Sequence, residues 1–187
     1  MGFQEVKTPE QLMLYMDHNI EYGVIDNFGN KYCDSNSDEF QNACNHDWKL
    51  RTVEHILQDG VGHCYDQVEV ERDWFTKKGY QVKTFWISAY QEEIENSGFS
   101  HTYLIYKDDD AWKLFEHSDF FNRGIFEFAS VQDAVKWQAD NQIKFATKCV
   151  KPATKYVVCI KEYSKPPINV NMEEYLHFIE NSKDYDI

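Results

Sequence analysis

Proline and glycine are scarce in this chain, at four and eight of 187 residues. That excludes a collagen-like or Pro/Gly-rich disordered polymer. Long hydrophobic runs are missing too, since no stretch approaches the ~18 apolar residues of a membrane span. Positive charge is in deficit: 19 Lys and Arg stand against 32 Asp and Glu, a formal net charge of −13. Such a surface repels phosphate backbones and anionic lipid, so neither nucleic acid nor a membrane is an expected partner. The five cysteines, at 33, 44, 64, 149 and 159, are odd in number, widely spaced and never Cys-x-x-Cys. This is no disulfide framework. Cys33, Cys44 and His46 lack the tight ligand spacing and the fourth ligand of a zinc site, so no metal and no cofactor is expected. The opening "MGFQEVKTPEQ" has no basic stretch followed by an apolar one, as a secretory leader would. A cytoplasmic protein with reduced thiols is the expectation.

Aromatic residues, by contrast, are abundant. Thirteen Phe, twelve Tyr and five Trp, within a 42% hydrophobic composition, are enough for a real core. The length suits a single domain over residues 1–187, with its core at about 50–165. "TPEQLMLYMDHNI" begins with Thr8 as a cap and Pro9 at the first helical position, and Leu12, Tyr15 and Met16 share a face. "YGVIDNFGNKY" reads as strand and turn. The polar stretch from Asp34 to Asp47 reads as loop. "LRTVEHILQDG" is a short helix ending at Gly60, and a longer helix is expected from Cys64 to Lys78, stopped by Gly79. Strands are expected at 82–88, 102–106, 111–116, 124–128 and 155–163. One helix follows the cap residue Ser130, and another lies in "NMEEYLHFIENS". Mixed helices and strands with antiparallel neighbours give an α+β class. Cys149 and Cys159 border or occupy the strand at 155–163 and are expected in the core.

The chemistry concentrates in "GVGHCYDQVEVERDWFTKKGY", residues 60–80. Cys64 stands at a helix N-terminus, where unpaired N–H groups and the dipole favour a thiolate. Gly60 and Gly62 allow close backbone approach. The Cys64 N–H can face a developing oxyanion. His63 flanks the thiol, as a groove residue or as an exposed loop residue, and Asp66 suits the first turn as a cap. A thiol nucleophile needs a base, and the base needs an orienting group. A hairpin with Asp108 and Asp109 at its tip would set His101 directly opposite Glu116 on one face. Asp119 is the competing carboxylate, and His117 would point to the other face. Tyr22, in "IEYGVID", is a candidate second oxyanion donor, with packing as its alternative use.

The "GHCYDQVEVER" segment opening a helix, "SHTYLIY" starting a strand and "WKLFEHS" after it resemble the transglutaminase-like superfamily of papain-type cysteine enzymes. The similarity is firmest over residues 57–128. "TPEQLMLYMDHNIEYGVID" and "RGIFEFAS" resemble an uncharacterised bacterial branch of it. The resemblance implies a central helix carrying the cysteine, packed on an antiparallel sheet that carries the histidine and the acid. It also implies a triad of Cys64, His101 and Glu116, with Glu standing where most members carry Asp. The function implied is a cysteine-dependent amide-bond hydrolase (peptidase, isopeptidase or amidase) working through an acyl-thioester. The alternatives are an acyltransferase or protein cross-linker with the same triad, and a silent binding module of the same fold. A peptide, protein or small amide is the expected substrate.

Overall fold

A computed structural model describes residues 2–91, 98–149 and 155–187, with the side chain of Cys149 outside that set. The elements are α1 (Pro9–Asn19), β1 (Val24–Ile25), β2 (Lys31–Tyr32), α2 (Asp38–Asn42), α3 (Val53–Asp59) and α4 (Cys64–Lys77). They continue with β3 (Gln81–Gln91), β4 (Phe99–Asp108), β5 (Ala111–Glu116), β6 (Gly124–Phe128), α5 (Val131–Cys149), β7 (Tyr156–Tyr163), α6 (Met172–Glu180) and β8 (Lys183–Asp184). The fold is mixed α+β. Its six-stranded sheet is antiparallel throughout, in the order β6-β5-β4-β3-β7-β8.

Local sequence accounts for the helix boundaries. The Thr8 hydroxyl accepts from the Gln11 N–H and caps α1, with Pro9 in the first turn where its missing N–H costs nothing. α3 ends at Gly60, in the left-handed region at φ +66°, where a side chain would also crowd the Asn19 carbonyl. α4 stops before Gly79, at φ +84°. Every residue of α4 from Cys64 to Glu71 is buried, including Asp66, Gln67, Glu69 and Glu71. A helix polar on its inner face must find partners for those groups, so α4 is where polar chemistry is housed.

Alternation along β4 gives the sheet two different faces. Leu104 and Tyr106 pack with Val68, Phe75 and Phe115 on the α4 side, where the Phe75 and Tyr106 rings lie 4.3 Å apart. Tyr103 and Ile105 pack with Phe85, Ile87 and the α5 residues Ala134, Val135 and Ala139 on the other. Removing a ring as enclosed as Phe75 would cost roughly 3–5 kcal/mol.

Three expectations need correction. The stretch from Asp34 to Asp47 is not all loop. It holds α2, capped by Ser37, and a π-helical turn at Ala43–Asp47, because Phe40 and Ala43 find apolar neighbours in Trp48 and Leu50. The β4–β5 hairpin turns one residue later than expected, with Asp108 paired to Ala111 and Asp109–Asp110 at the tip. Asp109 tolerates the φ of +50° needed there, as Asp often does. Cys159 is only partly buried in β7.

Candidate active site

The site assembles where β5 ends. The β4–β5 ladder has its last pair at Leu104 and Phe115, so the start of β4 runs on without a neighbour on that edge. The N-terminus of α4 meets this open stretch. The Thr102 backbone lies near enough to the Cys64 sulfur to favour its thiolate, and the Tyr65 hydroxyl lies 2.7 Å from that of Ser100. His101 alternates with both of these neighbours.

His101 and Glu116 do meet: Nε2 lies 2.7 Å from Oε2, in a buried pair. They are not directly opposite. The register, continued one residue past its last pair at Leu104 and Phe115, would set Glu116 across from Tyr103, two positions along from His101. A shift of two keeps side chains on the same face, so the pair forms diagonally, with the longer Glu side chain spanning the offset. The Glu116 Oε1 accepts from the Asp119 N–H at 2.9 Å. Asp119 itself accepts from the Phe121 and Asn122 N–H groups and shapes the loop after β5. Glu116 rather than Asp119 therefore holds the imidazole.

The other face of the ring belongs to Cys64. With Nε2 engaged by Glu116, Nδ1 is left for the thiol, which lies close enough to the ring for each group to shift the other's pKa. Burial pushes the Cys64 thiol up. The His101 hydrogen bond, the charges of His63 and His101 and the Thr102 N–H outweigh it, so the net direction is down. Burial pulls His101 down, but the Glu116 charge, the bond to Cys64 and the bond to Glu116 carry it well above the usual histidine value. Both directions favour a thiolate–imidazolium pair.

Tyr22 reaches the same sulfur. Its hydroxyl lies near the Cys64 thiol, and its own pKa is driven well up, first by burial and then by the two thiols Cys64 and Cys44. The ring stacks on Phe40 at 6.2 Å and meets the exposed Phe120 edge-on at 6.0 Å. Gly62 is held to glycine by packing. A Cβ there would lie 2.8 Å from the Asp66 Cβ, and the residue ties the Tyr22 segment to α4. Its N–H donates to the Glu21 carbonyl, and its carbonyl accepts from Gly23 and from the Gln67 amide. His63 is not an exposed loop residue. It is buried, with Nδ1 2.9 Å from Asp66, whose carboxylate also accepts from the His63 N–H in a capping box.

Two groups near the triad carry no sequence signal that singles them out. Glu71 is buried on α4, and burial followed by the Glu116 charge raises its pKa well above the carboxylate range. His117 Nδ1 donates to Gln67 at 2.5 Å, and burial followed by the Arg123 charge pushes the ring down to about 4. An open groove of about 800 Å³, lined by Arg72, Thr84, Tyr163 and His177 among others, lies apart from these residues. None of the triad lines it.

No protein-family model matches this chain, and a search of curated proteins finds no match either. Among the described residues, no helix is long and apolar enough to cross a membrane.

Proposed function

We propose that this chain is a cysteine-dependent amide-bond hydrolase of transglutaminase-like, papain-type architecture, with Cys64 as nucleophile. The observation that carries the reading is the buried His101–Glu116 pair at 2.7 Å, with the buried Cys64 thiol near enough to His101 for its pKa to be lowered by it. The arrangement of α4 against β3 and β4 supports the papain-like core.

The chemistry follows from the geometry. The Cys64 thiolate attacks the substrate carbonyl, and a C–S bond forms. The Cys64 N–H, which has no acceptor inside its own helix, and the Tyr22 hydroxyl are the donors suited to the oxyanion. His101 then gives its Nδ1 proton to the leaving amine, and the C–N bond breaks. Water attacks the thioester while His101 takes a proton, and the thiolate returns. Glu116 keeps Nε2 protonated and steadies the imidazolium throughout.

The test is acyl-enzyme capture. Full-length protein is mixed with a panel of activated esters and short peptide amides, and intact mass is read at early times. A thioester adduct at Cys64, lost in Cys64→Ala and not discharged in His101→Ala, is expected. An added primary amine should leave the product spectrum unchanged; transfer of the acyl group to that amine would make the enzyme an acyltransferase. Absence of any adduct at Cys64 across the panel would leave only a silent module of this fold.

A further inference from the structure

The last residue of β5 holds the base, and the residue after it reaches the helix that carries the nucleophile. Glu116 is bonded to His101, while the His117 Nδ1 meets the Gln67 side-chain oxygen at 2.5 Å. Adjacent extended residues face opposite ways, so one short stretch of chain serves both halves of the site. Gln67 stands on α4, three residues after Cys64, and Gln67 and His117 are each only 1% exposed.

Gln67 grips the loop ahead of the thiol twice. Its side-chain nitrogen donates to the Gly62 carbonyl at 2.7 Å, and its main-chain N–H donates to the His63 carbonyl at 3.0 Å. The peptide that carries the Cys64 N–H begins at that second carbonyl, and because a peptide is planar the direction of the N–H is set there. Gly62 also ties in Tyr22. Its N–H donates to the Glu21 carbonyl at 3.1 Å, and its carbonyl accepts from the Gly23 N–H at 3.4 Å, so the residues on both sides of Tyr22 are bonded to it. The segments bearing the two donors suited to the oxyanion therefore meet at Gly62, and Gln67 fixes the Gly62 carbonyl.

His117 in turn fixes Gln67. With the amide nitrogen on a carbonyl and the amide oxygen on an imidazole N–H, only one orientation of the amide satisfies both partners. The imidazole is braced as well. The His117 carbonyl accepts from Arg123 Nε at 2.8 Å, the ring Nε2 lies 3.1 Å from an Asp17 carboxylate oxygen, and the Arg123 guanidinium holds that carboxylate at 2.6 Å. For packing alone, apolar side chains would serve at 67 and 117 without the desolvation cost of a buried amide and a buried imidazole.

We propose that Gln67 and His117 are positioning residues that aim the Cys64 N–H and Tyr22 at the oxyanion. This role presupposes the acyl-enzyme chemistry described above. Misplaced donors weaken the tetrahedral intermediate and leave the thiolate and the imidazolium as they were. Acylation builds an oxyanion, whereas alkylation by iodoacetamide only displaces iodide, so the two reactions of Cys64 part company when the donors are misaimed.

Full-length wild type, Gln67→Met, His117→Phe and His117→Asn are each treated with p-nitrophenyl acetate and, separately, with iodoacetamide, and modification of Cys64 is followed by mass spectrometry. Gln67→Met and His117→Phe should be acetylated at least roughly tenfold more slowly at an unchanged half-saturating ester concentration, while alkylation moves by less than about twofold. His117→Asn keeps a donor toward Gln67 and should recover most of the acetylation rate. Acetylation of Gln67→Met at the wild-type rate, or equal losses in acetylation and alkylation, overturns the proposal and leaves the hydrolase reading untouched. A His117→Asn protein as slow as His117→Phe overturns it too, and should Gln67→Met fail to fold, the pair of variants at 117 decides. A wild type that no ester or amide acylates at Cys64 sinks the hydrolase reading and this role with it.

Discussion

The triad and the helix cap beside it differ in how they are put together. Cys64, His101 and Glu116 come from a helix start, a strand start and a strand end, and tertiary structure alone brings them into line. His63 and Asp66 sit within one turn of α4 and are joined by its cap. The sheet-built site is sensitive to register and to the point where β5 stops. The cap-built one depends on a single helix turn and on Trp48 above it. Electrostatically the two are coupled, since the His63 charge is among the influences lowering the Cys64 thiol.

The sharpest way to separate them is His101→Ala. Alkylation of Cys64 by iodoacetamide at pH 6 should slow by on the order of a hundredfold, because the thiolate loses its principal partner. Labelling of Cys44 should change little. The sign for the native protein is fixed by direction: a lowered thiol keeps its thiolate as pH falls. Cys64 should therefore lose less reactivity between pH 8 and pH 6 than Cys33, which burial pushes up. Equal losses at the two cysteines, measured by site-resolved mass spectrometry, would dissolve the contrast.

Next in size is Tyr22→Phe. A donor to the oxyanion is worth up to about a hundredfold or more in turnover. The variant should lower kcat on any amide the protein cleaves, while the Cys64 alkylation rate falls far less. Parallel losses in both measurements would make Tyr22 a packing residue. Glu116→Gln removes the charge that most favours the His101 imidazolium. Cys64 alkylation at pH 6 should drop roughly tenfold, between wild type and His101→Ala, in line with a shift of about one pKa unit.

The smallest expected effect concerns folding rather than reactivity. His117 is held neutral, with a pKa of about 4 when folded, below the ~6.5 of an unfolded histidine. As pH falls the unfolded chain takes up the proton first, so the stability due to this group is full above pH 6.5 and is lost toward pH 4. His117→Asn, which keeps a donor toward Gln67, should flatten the acid side of the stability curve by a few kcal/mol at most. Urea midpoints at pH 7 and pH 4.5 measure it, and identical pH slopes for the two proteins would discard this role.

Much of the sheet-built site was legible because strand alternation survives an error of two residues. The expected hairpin tip was wrong by one position, yet parity kept His101 and Glu116 on one face. A slip of one would have separated them. Cys64 was legible from helix-start chemistry alone. The helical folding of the Asp34–Asp47 stretch was not, because it is polar in sequence and folds only against Trp48 and Leu50, which local propensity does not reveal. The packing demand on Gly62 was not legible for a related reason: the Asp66 side chain that excludes a Cβ there is brought close only by the fold. Glu71 and His117 carry no motif, and only tertiary burial makes them unusual.

The β4–β5 turn lies at the far end of the hairpin from His101, roughly 25 Å away at the rise of an extended strand. Asp109 and Asp110 are both exposed there. A fluorophore or affinity handle spliced between them would ride on the same two strands that carry the imidazole and its carboxylate without touching either, which makes this tip the natural grip for surface immobilisation or single-molecule work.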